Sequence, residues 1–459
     1  MSFPVTISPS TGLGSQGPRG EFIFEHAGNL YFVGTDNAPV PDSFHCWKSI
    51  DGGNTWVAQD DINAPVYDYS PPINAQFGNC YTSAVDGDTL KVLWVDATQY
   101  TGPGSCNSAP YPPPNLPITQ LWICDFDLST DTWGTRSGLS NPGVDFMNFS
   151  NTSACSTRAM VQLLVRGSGD YILYYSGTQS GSGASSAARV SYSTFDGSTF
   201  GSEVQLPSQT DVNFPIGAVY HGGRTYYLYL HGALPLGAFT QVFHVSMDNT
   251  GAFGTTQDVF SLTGESKPFF GGATANDFIS TPIIAGSKLC FACPVFVAGD
   301  ETTKLFYGTL ATDPTWNVSP ITTDPNQPPE VVQFSFAAHG PFITISSDGT
   351  NIIAAWNTYD FINDFGQVYY STSPVGSFAW TTPTLMWQYA WIAGNITQAM
   401  EIASLAFDGG MFGVLGIGIT QTGLAFVTDF YAVQLGRRVG NFWSVPNAML
   451  CGHGGNCWT

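Results

Sequence analysis

One pattern recurs along most of the 459 residues, and it limits the fold more than any other feature of the chain. A short apolar strand, a Gly or Asp turn, an aromatic strand, a variable loop and another alternating strand follow in fixed order. The first strand and its turn read EFIFEHAGN near residue 21, TSAVDGD near 82, MVQLLVRGSGD near 160 and GAVYHGGR near 217. They continue as TPIIAGSK near 281, FITISSDGT near 342 and IASLAFDGG near 402. The aromatic strands are LYFVGT, LKVLWVDAT, YILYYSG, YYLYLHG, LCFACPVF, IIAAWNTYD and MFGVLGIG. Each is followed by a third strand such as HCWKSIDGGNTW or RVSYSTFDGSTF, giving seven units of about sixty residues.

A fourth strand follows the closing aromatic of a unit, as in EVQLP after Phe200 or QDVFSL after Phe253. Four-stranded antiparallel units repeated radially are the blades of a β-propeller, in which each sheet covers the apolar face of its neighbour. The expected fold is therefore all-β: a single seven-bladed propeller domain over residues 1–459, with a C-terminal tail at 444–459. Its blades start near 19, 79, 158, 213, 277, 339 and 400. The opening segment PVTISPSTGLGSQGP resembles the fourth strand and exit loop VQLPSQTDVNFP, so the N-terminal strand is expected to close the last blade and spare an open edge. A β-sandwich pair or a β-helix fits the regular unit less well.

Charge narrows the partners. With 34 acidic residues against 13 Lys plus Arg the net charge is -21, which leaves no basic surface for nucleic acid or an anionic membrane. No stretch approaches the roughly 20 apolar residues of a membrane span. A 43% hydrophobic content supplies a core, while 51 Gly and 30 Pro imply few helices. The opening MSFPVTISPS has neither a basic n-region nor an apolar h-region, so the chain either begins after processing or stays inside. Sequons at Asn148, Asn151, Asn317 and Asn395 favour an extracellular location.

Nine cysteines include one CxxC, Cys290 to Cys293, set in an apolar strand. Residues three apart on a strand point to opposite faces, which makes this pair a poor chelate and a poor redox motif. Cys451 and Cys457 bracket the tail CGHGGNC, which can close a small disulfide loop. No cofactor is required; a structural or catalytic calcium ion is left open. A monomer is expected.

Propeller ligands sit on the axis, where innermost strands begin. The same phase of each unit carries Arg19, Asn79, Arg158, Asn213, Asp277, His339 and Glu401, which together suggest a polar funnel. Arg19 and Arg158 matter most there, because Arg reads carboxylates in bidentate fashion. Loops between second and third strands add Asp36, Asp42, Asp96, Tyr100, His231, Tyr359 and Asp360. MWQYAW brings Trp387, Tyr389 and Trp391 as flat faces for sugar rings, and the stiff SAPYPPPNLP insertion is placed as a wall.

Ser49-Ile-Asp51-Gly-Gly-Asn-Thr55-Trp56 matches the Asp-box of sialidase-like propellers, with decayed copies at Asp127 to Trp133, Asp196 to Phe200 and Asp313 to Trp316. The motif is a turn device on the face away from the usual mouth, so Asp51 is not read as a catalytic acid. Residues 19–56 resemble the opening blade of sialidases. That resemblance implies Arg19 as a substrate-binding Arg and Asp42 near the general acid's place. The chain departs from the family at Pro-Arg-Gly, where Phe/Tyr-Arg-Ile-Pro is the rule, and at Ala38, where a second Arg is expected. Sialidases also have six blades, so their activity is not carried over.

Two functions remain. The first is a carbohydrate-active enzyme for an acidic, uronate-containing glycan. As a lyase it would use Arg19 or Arg158 as the carboxylate neutraliser and His339, His231 or Tyr359 as the base. As an exo-glycosidase it would pair carboxylates drawn from Asp42, Asp277 and Glu401. The second is a lectin or adhesin, in which Asn79, Asn213, Trp387, Tyr389 and Trp391 bind sugar without turnover; Asp36 and Asp277 are further substrate-binding candidates. Lectin propellers repeat their binding residues in every blade, whereas these residues differ from blade to blade, which favours an enzyme.

Overall fold

The second strand of each unit dictates the architecture. LYFVGT, LKVLWVDAT, YILYYSG, YYLYLHG and LCFACPVF are apolar at successive positions, so both faces of the strand must be covered. Sheets standing side by side satisfy this demand. The computed structural model describes residues 5–11, 21, 23–36, 42–59, 66–67, 81–96, 120–140, 161–178, 188–209, 212–233, 238–265, 279–297, 300–321, 343–360, 365–390, 398–408, 411–422, 425–439 and 442–444.

The first sheet takes Ile23–His26, Asn29–Asp36, Asp42–Ser49 and Val57–Ala58. The second takes Tyr81–Asp86, Thr89–Asp96, Gln120–Asp127 and Thr132–Trp133, and the third Val161–Gly167, Asp170–Thr178, Ala188–Phe195 and Val204–Gln205. The fourth holds Val212–His221, Arg224–Ala233, Ala238–Asp248 and Gln257–Asp258. Ile283–Ala285, Lys288–Val297, Asp300–Thr309 and Trp316–Pro320 form the fifth. The sixth has Ile343–Ser347, Asn351–Asp360, Phe365–Pro374 and Thr384–Ala390. These six blades are each continuous in sequence and antiparallel throughout.

A further sheet is built from both ends of the chain. Gln398–Asp408, Met411–Thr422 and Ala425–Val439 pair in order, and Val5–Thr11 adds itself antiparallel to Ala425–Val439. Its first strand touches Ile343–Ser347 on one side and Ile23–His26 on the other. The chain is an all-β propeller of four-stranded antiparallel blades.

Period-two packing fills the spaces between blades. In the fifth blade, Leu289, Phe291, Cys293 and Val295 pack against the fourth, while Cys290 and Ala292 pack against the sixth. In the third, Tyr171, Leu173 and Tyr175 face the second blade, and Ile172 and Tyr174 face the fourth. Tyr31, Val33, Phe44 and Cys46 meet Leu90, Val92, Trp94 and Trp133 between the first two blades. Burying one such large apolar side chain contributes about 1.5–3 kcal/mol.

Innermost strands leave backbone groups unpaired on their axial edge, and side chains from the preceding blade satisfy several of them. The Glu21 carboxylate accepts from Val85 N at 2.6 Å, the Thr82 hydroxyl accepts from Leu163 N at 2.9 Å, and Gln162 does the same for Ala218.

Third-to-fourth-strand turns hold themselves. Asp51 accepts from Thr55 N and Oγ1 and from Ser49 Oγ, and Asp127 and Asp196 accept from the backbone N–H groups two and three residues on. Asp313 departs from the decayed-repeat expectation: it accepts from Thr255 of the preceding blade instead of its own turn. QDVFSL also departs from its expected strand. Only Gln257–Asp258 is extended, and Val259–Thr263 is a one-turn helix. Asp258 caps its start by accepting from Ser261 N, and Gly264 ends it at φ 75°, so local capping outweighs the apolar run.

Candidate functional site

The mouth end of a blade is where its first strand begins and its second strand ends. Among the expected residues, the fourth blade brings two together there. Asn213 and His231 are direct cross-strand partners on Val212–His221 and Arg224–Ala233. The His231 Nδ1 lies 3.0 Å from the Asn213 Oδ1. An amide oxygen only accepts, so this contact holds as a hydrogen bond in a ring that is protonated on Nδ1. The Phe243 ring, on the third strand, sits 5.0 Å from the imidazole and inclined at 36° to it. Gln241, the third-strand partner of His231, donates to Asp258 Oδ2 at 2.7 Å. His231 is half-buried, while Asn213 is fully buried.

That burial corrects the expectation that Asn213 lines a wet funnel and binds substrate. Its phase along the strand is as expected, but a register shift between Pro215 and Gly217 breaks the regular alternation just beyond it. Its amide oxygen faces His231.

In the first blade Asp36 ends the second strand and Asp42 starts the third, which places both at the same end of the sheet. In the sixth, Tyr359 and Tyr389 both pair with Gly366, one from each side, and form a single row across the blade. Trp387 pairs with Val368, two positions along the strand from that row. Glu401 pairs with Ile417 on the first strand of the sheet made from both termini. Arg19, Asn79, Arg158, Asp277, His339, Trp391 and Tyr100 lie outside the described residues, as do the CGHGGNC tail and three of the sequons. Asn317 is described, and is exposed on the outermost strand of the fifth blade.

Glu21 is a polar group that the phase count missed. It lies between the first two blades, where its own N–H donates to Ser83 O at 2.9 Å. It keeps access to solvent, yet surrounding protein desolvates its carboxyl and raises its pKa, with the Val85 N–H acting against that rise. A charged residue opening the otherwise apolar EFIF strand was the available signal.

Several cations are committed elsewhere. Lys48 pairs with Asp131, Lys91 with Asp125, Arg166 with Asp170 and Lys304 with Glu265, at 2.5 to 2.8 Å. Arg136 lies over the Trp122 ring, and Arg189 donates to Gln209 O. Among the described residues no group of three or more His, Cys, Asp or Glu is arranged to hold a metal ion. No described helix is long and apolar enough to cross a membrane.

No protein-family model matches the chain, and no curated protein matches it. Solved structures do. A polysaccharide lyase, an ulvan lyase bound to -[GlcA(1-4)Rha3S]-, superposes with TM-score 0.55 at 10% identity, covering 94% of this chain and 96% of that one. The polysaccharide lyase Uly1 follows at TM-score 0.47 and 12% identity, covering 94% and 98%. An α-L-arabinanase of Penicillium chrysogenum complexed with arabinobiose gives TM-score 0.40 and 12% identity over 94% and 98%. The first likeness establishes the propeller fold. By their names, these three are enzymes that act on carbohydrate.

Proposed function

We propose that the chain is an extracellular enzyme that cleaves an acidic, uronate-containing polysaccharide by β-elimination at the mouth of the propeller. The observation that carries this proposal is the Asn213–His231 pair, which sets an imidazole at the mouth end of the fourth blade. An Arg neutralises the uronate carboxylate and so acidifies the C5 proton. His231 Nε2 takes that proton, the C4–O bond breaks, a C4–C5 double bond forms, and the departing oxygen receives a proton from a second group. Arg19 and Arg158 are assigned the first role on their place in the repeat, while Lys48, Lys91, Arg166 and Lys304 are held by carboxylates. Tyr359, in one row with Tyr389, is assigned the last.

The ring is proposed to be seven-bladed, supported by the sheet from both termini standing between the sixth blade and the first. The Ser49–Trp56 turn is taken as an Asp-box on its hydrogen bonds. The enzyme is proposed to act as a monomer on glycan alone, with no resident cofactor required.

Incubation with uronate polymers tests the proposal. Lyase action yields an unsaturated uronide seen as new ultraviolet absorbance, lost in Arg158→Ala and in His231→Gln. New reducing ends without that absorbance mean hydrolysis, and binding without cleavage means a lectin; either overturns it.

A further inference from the structure

Asn213 is fully buried, so solvent-borne ligands do not reach its amide, yet its carbonyl oxygen faces a half-buried imidazole at 3.0 Å. The geometry points to Asn213 as a positioning residue that fixes His231 in the Nδ1-protonated tautomer and keeps Nε2 as its basic nitrogen. This assignment rests on His231 being the base of the proposed elimination, and it adds the group that makes it one.

The contact sets the tautomer because a ring nitrogen facing an acceptor must hold the proton, which leaves the other nitrogen with the lone pair. Direct cross-strand pairing fixes the spacing of the two residues through the backbone, and Phe243 limits the tilt of the ring from the third strand. The partner is also neutral. A carboxylate in this place would stabilise the imidazolium and keep the base protonated; an amide orients the ring without that penalty on its availability. On the third strand, Gln241 opposite His231 engages Asp258, the carboxylate at the start of the adjoining helix. When Nε2 accepts a proton both nitrogens become donors, and the Nδ1 contact to Asn213 is unchanged.

Nitrogen NMR on the full chain, labelled only at its 7 histidines, reads the tautomer directly, with the His231 signals identified by their loss in His231→Gln. Wild type should show a protonated Nδ1 and an unprotonated Nε2 near neutral pH. Asn213→Ala should shift the population toward protonated Nε2. Asn213→Asp, almost the same shape, should raise the titration midpoint of the ring by about one to three pH units. A wild-type ring protonated on Nε2 overturns the assignment, as does a titration midpoint unmoved by Asn213→Asp. The wild-type and Asn213→Asp spectra decide the matter even where Asn213→Ala fails to fold. All of this is read without substrate. A ring with the expected tautomer in a chain that cleaves no uronate polymer removes the lyase proposal alone, and the opposite tautomer in an active lyase removes the positioning role alone.

Discussion

Gln162 pairs with Ala218 across the gap between the third and fourth blades as another strand would. Its Nε2 donates to the Ala218 carbonyl at 3.0 Å and its Oε1 accepts from Ala218 N at 2.8 Å. Both residues are buried, so truncation leaves a buried donor and a buried acceptor unsatisfied. Gln162→Ala should therefore lower unfolding stability by about 2 to 4 kcal/mol in a denaturant titration. Gln162→Glu should also destabilise at neutral pH, because a carboxylate accepts from Ala218 N but faces the carbonyl with no proton to give. A variant as stable as wild type would mean that water takes over both groups.

His244 makes the blade interface sensitive to acid. It is fully buried on the third strand of the fourth blade, 6.0 Å from the Tyr226 ring and 5.4 Å from the Trp316 ring. Burial pushes its pKa down to about 3, with Gln257 and Asp313 acting against the fall. The unfolded chain regains an ordinary His pKa near 6.5, so between these limits unfolding takes up a proton. Its stability contribution is complete above about pH 6.5 and is lost at up to about 1.4 kcal/mol per pH unit as the pH falls toward 3. Glu21, whose pKa is raised, works in the opposite sense, since its contribution is lost as the pH climbs through its folded value. Equilibrium unfolding of wild type and His244→Leu from neutral pH to pH 4 isolates the histidine: the variant should show the shallower slope, and parallel curves would refute its role.

The buried thiols should be inert. Cys290 and Cys293 lie on opposite faces of one strand, in the fifth-to-sixth and fourth-to-fifth interfaces respectively. Burial pushes the Cys290 thiol up to about 12 and holds the Cys293 thiol well above its ordinary value. With so little thiolate at neutral pH, neither is a ready nucleophile. Iodoacetamide followed by mass spectrometry should label neither residue in the native chain and both after denaturation. Labelling at one position under native conditions would reveal local opening of that interface.

Strands buried on both faces were legible because their apolar runs have no polar side, and Gly28, Gly87 and Gly169, all with positive φ, mark the turn that precedes them. The opposite facing of Cys290 and Cys293 follows from the same period of two. Which residue meets which across blades was not legible, because nothing local in MVQLLV names Ala218 as the partner of Gln162. Asn213 shows the related limit: repeat phase gives its height along the blade, but not that its side chain is buried against His231. QDVFSL misled for a local reason, since Asp258 and Gly264 cap a helical turn that an apolar pattern alone reads as strand.

Asp51 separates a turn residue from a catalytic acid. Its Oδ1 accepts from Thr55 N at 2.9 Å and from Ser49 Oγ at 2.8 Å, and its Oδ2 accepts from Thr55 Oγ1 at 2.7 Å. Ser49 Oγ in turn accepts from Gly53 N, at a glycine held at φ 88°. These contacts occupy the carboxylate with its own turn, on the blade end opposite the junction of Asp36 and Asp42. Asp51→Ala frees Thr55 N and loosens a turn that only glycine and a side-chain acceptor hold in shape, so the melting temperature should drop. Turnover of a uronate polymer, measured well below that temperature, should keep its wild-type kcat and KM. A loss of kcat with an unchanged melting temperature would bring Asp51 into the chemistry and move the working face of the propeller to its other end.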